Sequence, residues 1–202
     1  MIAQETSLPF AFEIPSGHAP KAAPDRRNLD SQTGMMSRGR MVEALGEAMM
    51  VASREVKPCA FALAAIKNLA VVNEAYGFEV ADEVVVAMGQ RLRRLVRRGD
   101  AIARYSGGQF GFILNDCREA DLSAMAERML EASRDFVTET RAGPVWALLS
   151  IGAAALPIEV TDPHAALALA EEALAEARRL PSDGYIIHES TPMLHASRQS
   201  KT

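Results

Sequence analysis

Apolar residues along this chain switch between two rhythms, and the switches mark its elements. From Ser37 to about Val56, Met41, Leu45, Met49 and Ala52 recur every three or four positions, which predicts a helix with one apolar face. After Pro58 comes an unbroken apolar run, Cys59-Ala60-Phe61-Ala62-Leu63-Ala64-Ala65-Ile66, bounded by Lys67 and Asn68. Such a run suits a central strand buried on both faces. A short helix is expected up to Tyr76, broken at Gly77. Val84, Val85, Met88, Leu92 and Leu95 predict another near 81–97, with Arg91, Arg94 and Arg98 on its outer face. Two short apolar runs, Ala101 to Ala103 and Phe110 to Leu114, flank Gly107-Gly108 and read as a hairpin with a tight glycine turn. Leu122, Met125, Met129 and Phe136 predict a helix near 121–137, and Val145 to Leu156 reads as a strand. Asp162 before Pro163 supplies an N-cap and first-turn pair for a helix through Leu167, Ala170, Leu174 and Ala177. A last strand is expected at Gly184-Tyr185-Ile186-Ile187.

Strands alternate with helices, but the hairpin forces antiparallel pairing, so the expected class is α+β, a mixed antiparallel sheet flanked by helices. The 202 residues suffice for one domain with extensions. Residues 1–36 carry Pro9, Pro15, Pro20 and Pro24 without periodicity and read as a disordered leader. The helix at 37–56, the domain at 57–189 and a loose polar tail at 190–202 complete the division. No signal peptide or membrane span is legible, which points to the cytoplasm. A net charge of −4 gives no footprint for nucleic acid. Cys59 and Cys117 lack metal-ligand spacing, as do His18, His164, His188 and His195.

Candidate chemistry begins at Arg104-Tyr105-Ser106-Gly107-Gly108-Gln109-Phe110. This segment resembles the signature of the GGDEF family of diguanylate cyclases, Arg-x-Gly-Gly-Asp/Glu-Glu-Phe. There the hairpin acids serve a metal-dependent condensation of two GTP into cyclic di-GMP. Further blocks support the resemblance in order from about Pro58 to His188. It implies that the metal-binding acids are lost. Ala65 and Lys67 stand for the two acids at the end of the first strand, and Gly108 and Gln109 for the two in the hairpin. Magnesium sheds its water reluctantly and needs carboxylates to do so, so Mg²⁺ binding and catalysis are not expected.

Two other constellations follow from the resemblance. Asn73, Asp82 and Arg178 stand where the family reads guanine and contacts the triphosphate, although the first two are also ordinary capping residues. Arg97-Arg98-Gly99-Asp100 matches the Arg-x-x-Asp inhibitory site that binds cyclic di-GMP, and Arg128 falls at the place of a second contributing arginine. Read without the resemblance, the same four residues are a solvated helix end. The function implied is that of an inactive GGDEF-like domain, either a cyclic di-GMP receptor or a regulatory module in bacterial signalling. The alternatives are a GTP sensor, a nucleotide-independent scaffold acting through the 37–56 helix, which also suits a homodimer seam, and, behind these, an active cyclase.

Overall fold

The computed structural model describes residues 28–156 and 162–189. Its elements run α1 (Arg38–Glu55), β1 (Cys59–Ile66), α2 (Leu69–Tyr76), α3 (Phe78–Arg93), β2 (Ala101–Ser106), β3 (Gln109–Asn115), α4 (Glu119–Arg134), β4 (Val137–Thr140), β5 (Gly143–Trp146), β6 (Leu149–Leu156), α5 (Pro163–Ala177) and β7 (Gly184–Glu189). Five strands form one sheet in the order β2-β3-β1-β6-β7. All pair antiparallel except β6 and β7, which are parallel and joined through α5.

Every residue of β1 is buried, because helices cover both faces of the sheet. Its side chains alternate between two cores. Phe61 and Leu63 meet Met41 and Leu45 of α1 and Ala170 and Leu174 of α5 on one face. Ala62 and Ala64 share the other with Val84 and Met88 of α3, Leu122 and Met129 of α4, and Phe110 and Phe112 of β3. On β6 the absence of a side chain at Gly152 lets α5 lie directly on the strand, since a Cβ there would run into the backbone of Leu174 and Ala170.

The structure corrects four expectations. α3 starts at Phe78 and ends at Arg93 rather than covering 81–97. α4 stops at Arg134, because the β-branched Val137, Thr138 and Thr140 turn the chain into a strand. The strand expected from Val145 is split: β5 pairs with β4 in a separate hairpin that turns at Gly143 (φ +101°), and β6 begins only at Leu149. Residues 28–36, assigned above to the leader, pack on the domain. Met36 bridges Ala103 at the edge of β2 and Met35 is buried. The rest of the leader, the 190–202 tail, His18 and His195 lie outside the described residues.

Candidate functional site

The sheet brings the family's metal positions into one row. Ala65 at the end of β1 pairs with Gln109 of β3 on one side and with Ser150 of β6 on the other. Next to it the hairpin tip arches over the end of β1, where the Ile66 N–H donates to the Gly108 carbonyl at 2.9 Å. Gly107 takes a positive φ (+43°) that fits glycine, as the turn required.

The row holds no carboxylate. Ala65 is 1% exposed and Gln109 supplies a neutral amide. At Gly108 an added Cβ would lie 2.5 Å from Leu69 Cδ2, the end of a flexible side chain, so an acid there requires Leu69 to shift. Lys67 points its ammonium at the turn after α5, donating to the carbonyl oxygens of Leu180 and, at 2.7 Å, Ser182. Those carbonyls follow the helix end and need donors, and a fixed cation provides them. Asn68 braces the same region from the other side, donating to the Trp146 carbonyl at 2.9 Å and accepting from the Leu148 N–H at 3.0 Å. The family's Mg²⁺ does not fit this donor set. It would face a lysine, a methyl group, a bare backbone and one amide.

The guanine-reading candidates lie on α2, on α3 and at the end of α5. Asn73 is half-buried on α2 with its Oδ1 enclosed and unbonded. Asp82 is exposed on α3 and makes no hydrogen bond among the described residues. Arg178, at the C-cap of α5, is exposed. The 78% exposed Phe78 stands between Asn73 and Asp82 along the chain.

The inhibitory-type constellation is assembled, though in an unexpected way. Asp100 is only 5% exposed. Its Oδ2 accepts from Arg97 Nε at 3.0 Å and its Oδ1 from the Asn115 N–H at 3.0 Å. Burial raises its carboxyl pKa, opposed by the Asn115 N–H and the Arg97 charge. Arg97 also donates through Nη2 to the carbonyls of Asn115 and, at 3.1 Å, Asp116. Asp100 thus holds Arg97 in place, each of its oxygens already accepting one hydrogen bond. Arg128 reaches the same loop from α4, its Nη2 3.5 Å from the Leu95 carbonyl.

Sequence reasoning missed several site neighbours. Asp30 closes a turn by accepting from the Thr33 N–H at 2.8 Å and from its hydroxyl at 2.6 Å. Asp-Ser-Gln-Thr-Gly was the available signal, a polar turn with a terminal glycine. In the signature itself, Arg104 lies over Phe110 at 5.3 Å with Nη1 buried and unbonded, and burial lowers its pKa against the charges of Asp30 and Asp82. Tyr105 joins three elements: Arg38 of α1 stacks on its ring at 4.5 Å and donates to its hydroxyl at 3.1 Å, while that hydroxyl donates to Glu171 of α5. Burial pushes the Cys59 and Cys117 thiols up to about 12 and about 11, so neither is a reactive nucleophile.

Comparison with known proteins matches residues 27–183 to the family described as diguanylate cyclase, GGDEF domain, a span that includes the packed 28–36 segment. The bifunctional diguanylate cyclase/cyclic di-GMP phosphodiesterase MucR of Pseudomonas aeruginosa is 26% identical over 170 residues, covering 84% of this chain and 25% of that protein. The chain spans from 25% to 48% of the length of the curated relatives it matches first. Among solved structures, the GGDEF domain of YfiN (TpbB) from Pseudomonas aeruginosa superposes with a TM-score of 0.74 at 24% identity, covering 79% of this chain and 99% of that one. The GGDEF domain of DgcB from Caulobacter crescentus, in complex with cyclic di-GMP, gives 0.75 at 16% identity over 85% of this chain and 98% of that one.

Proposed function

The chain belongs to the GGDEF family of diguanylate cyclase domains, and from that premise we propose that it is a member without cyclase activity, serving cyclic di-GMP signalling in the cytoplasm as a receptor or regulatory module. The observation that carries this reading is the metal row, where Lys67 sits at an acid position with its ammonium spent on the Leu180 and Ser182 carbonyls. A divalent ion there would meet a like charge and gain no carboxylate in return. Losing a few thousandfold in rate takes only about 4–5 kcal/mol of transition-state stabilisation, and the loss of four acid positions exceeds that.

The receptor role rests on Arg97 and Arg128. Asp100 and the carbonyls of Asn115 and Asp116 hold the Arg97 guanidinium with Nη1 free of hydrogen bonds among the described residues. An arginine fixed in this way is suited to grip guanine O6 and N7 or a phosphate, because little side-chain freedom is left to lose on binding. Asp100 is here a positioning residue, and the ligand contacts fall to the two arginines.

Titration calorimetry tests this directly. Cyclic di-GMP should bind, Arg97→Ala should weaken binding by about 2–4 kcal/mol, Arg128→Ala by less, and Asn73→Ala should leave it unchanged. GTP, as a separate arm, should bind more weakly. A folded protein that binds no cyclic di-GMP would remove the receptor role and leave a regulatory module that works through protein contacts.

A further inference from the structure

α3 runs out into a stretch of arginine that the site described so far uses only in part. Residues 91–98 read Arg-Leu-Arg-Arg-Leu-Val-Arg-Arg, five arginines in eight positions. The helix dipole favours a basic residue or two at this end; five carry more charge than the last carbonyls use, and they repel one another. Arg91 is half-buried and lies over the Phe136 ring at 5.3 Å, so packing accounts for it. Arg97 is fixed by Asp100 and the Asn115 carbonyl. Arg93, Arg94 and Arg98 are exposed, and their side chains make no hydrogen bond or ion pair among the described residues. After Arg93 the backbone tightens: the N–H groups of Arg94, Leu95 and Val96 donate to the carbonyls of Arg91, Leu92 and Arg93 at 3.2, 3.0 and 3.3 Å. Such bonding gives a rise of about 2 Å per residue, which sets Arg93 about 8 Å from Arg97 along the axis and Arg94 and Arg98 closer. That is about one Debye length at physiological salt. Two carboxylates belong to the same region, Asp100, which is buried against Arg97, and Asp116, whose carbonyl Arg97 also takes. The surface around Arg97 and Arg128 is therefore positive on a chain whose net charge is −4.

We infer that Arg93, Arg94 and Arg98 draw cyclic di-GMP toward Arg97 and Arg128 without touching it, setting the rate of association and its dependence on salt. The inference rests on the receptor reading above. The ligand suits the device, because both of its phosphodiesters are ionised at neutral pH and it arrives with two negative charges. A guanidinium is always protonated, and an exposed one acts at a distance without losing its hydration. Charges outside contact range alter encounter far more than escape. Three guanidiniums about 9 Å from two phosphates in water should speed association about fivefold at 0.15 M salt. At 0.01 M salt, where the Debye length is about 30 Å, the same charges should give about thirtyfold.

Stopped-flow mixing of the full chain with a fluorescently labelled cyclic di-GMP tests this, with kon and koff read separately at the two salt concentrations. Arg93→Gln/Arg94→Gln/Arg98→Gln should lower kon by about those factors, leave koff within about twofold, and melt as the wild type does. The control is Arg40→Gln/Arg141→Gln/Arg179→Gln, which removes the same charge elsewhere. Arg40 pairs with Glu43 and Glu47 on α1, Arg141 with Glu79 and Glu83 in the first half of α3, and Arg179 follows α5. Its kon should stay within about twofold of the wild type. Binding that Arg97→Ala weakens, with kon unchanged in the Arg93/Arg94/Arg98 variant, would overturn the inference and leave the receptor reading standing. A control loss equal to that of the variant, or a loss carried by koff, would also overturn it. A wild type that binds no cyclic di-GMP would overturn both.

Discussion

Replacing Lys67 by methionine isolates what its ammonium does, because methionine keeps most of the apolar stem and loses only the charged donor. The wild-type group makes two bonds to carbonyls, to Leu180 and to Ser182 at 2.7 Å, reaching residues 113 and 115 positions away. A hydrogen bond from a charged group contributes about 1.5–3 kcal/mol when well enclosed. The Ser182 contact is solvent-exposed and counts for little, so the pair together should give about 1–3 kcal/mol. For a domain of this size that corresponds to a fall in melting temperature of about 3–10 °C. Thermal unfolding followed by circular dichroism measures it, with urea titration as an independent check. Lys67→Asp should be less stable than Lys67→Met, because a carboxylate would face two carbonyl oxygens, and added Mg²⁺ should not restore it. Equal stability of wild type and Lys67→Met would refute the reasoning, as would marked Mg²⁺ stabilisation of Lys67→Asp.

Two further outcomes follow from particular contacts. Gly108→Asp should destabilise the fold through the 2.5 Å approach of its Cβ to Leu69 Cδ2, and Leu69→Ala should relieve part of that cost; a double-mutant cycle should give a favourable coupling of about 0.5–3 kcal/mol, and strict additivity would contradict the contact. Glu83 has its pKa lowered, first by the Arg141 N–H and then by the Arg141 side chain. A lowered folded-state value stabilises the protein above the unfolded value of about 4.3, and this is lost as pH falls through the folded value. Melting temperatures between about pH 6 and pH 3 should therefore fall less steeply in Glu83→Gln than in the wild type, and parallel curves would contradict the assignment.

What the sequence made legible were the features that local pattern dictates. An eight-residue apolar run becomes the doubly covered β1, and paired glycines between apolar runs become the hairpin tip. The four acid-free positions could be named only through the resemblance to the GGDEF signature, and the β1–β3 pairing then sets Ala65 beside Gln109. The sequence left the β4–β5 hairpin unseen, since Thr138, Glu139 and Thr140 lack the apolar alternation of a core strand. The partners of Lys67 are brought near by the α5 crossover, and no spacing rule reaches that far. For Asp100 the sequence offers a cyclic di-GMP contact or, without the resemblance, a solvated helix end; its bond from the Asn115 N–H at the far end of the hairpin is set only by the β2–β3 pairing.

The most direct measurement is product formation from GTP. The purified chain incubated with GTP and either Mg²⁺ or Mn²⁺, with products resolved by liquid chromatography and mass detection, should yield no cyclic di-GMP above a protein-free blank. The Gly108→Asp/Gln109→Glu variant should yield none either, because Ala65 and Lys67 remain. Steady formation of cyclic di-GMP by the unaltered chain, lost on changing Asn73 or Asp82, would contradict the account.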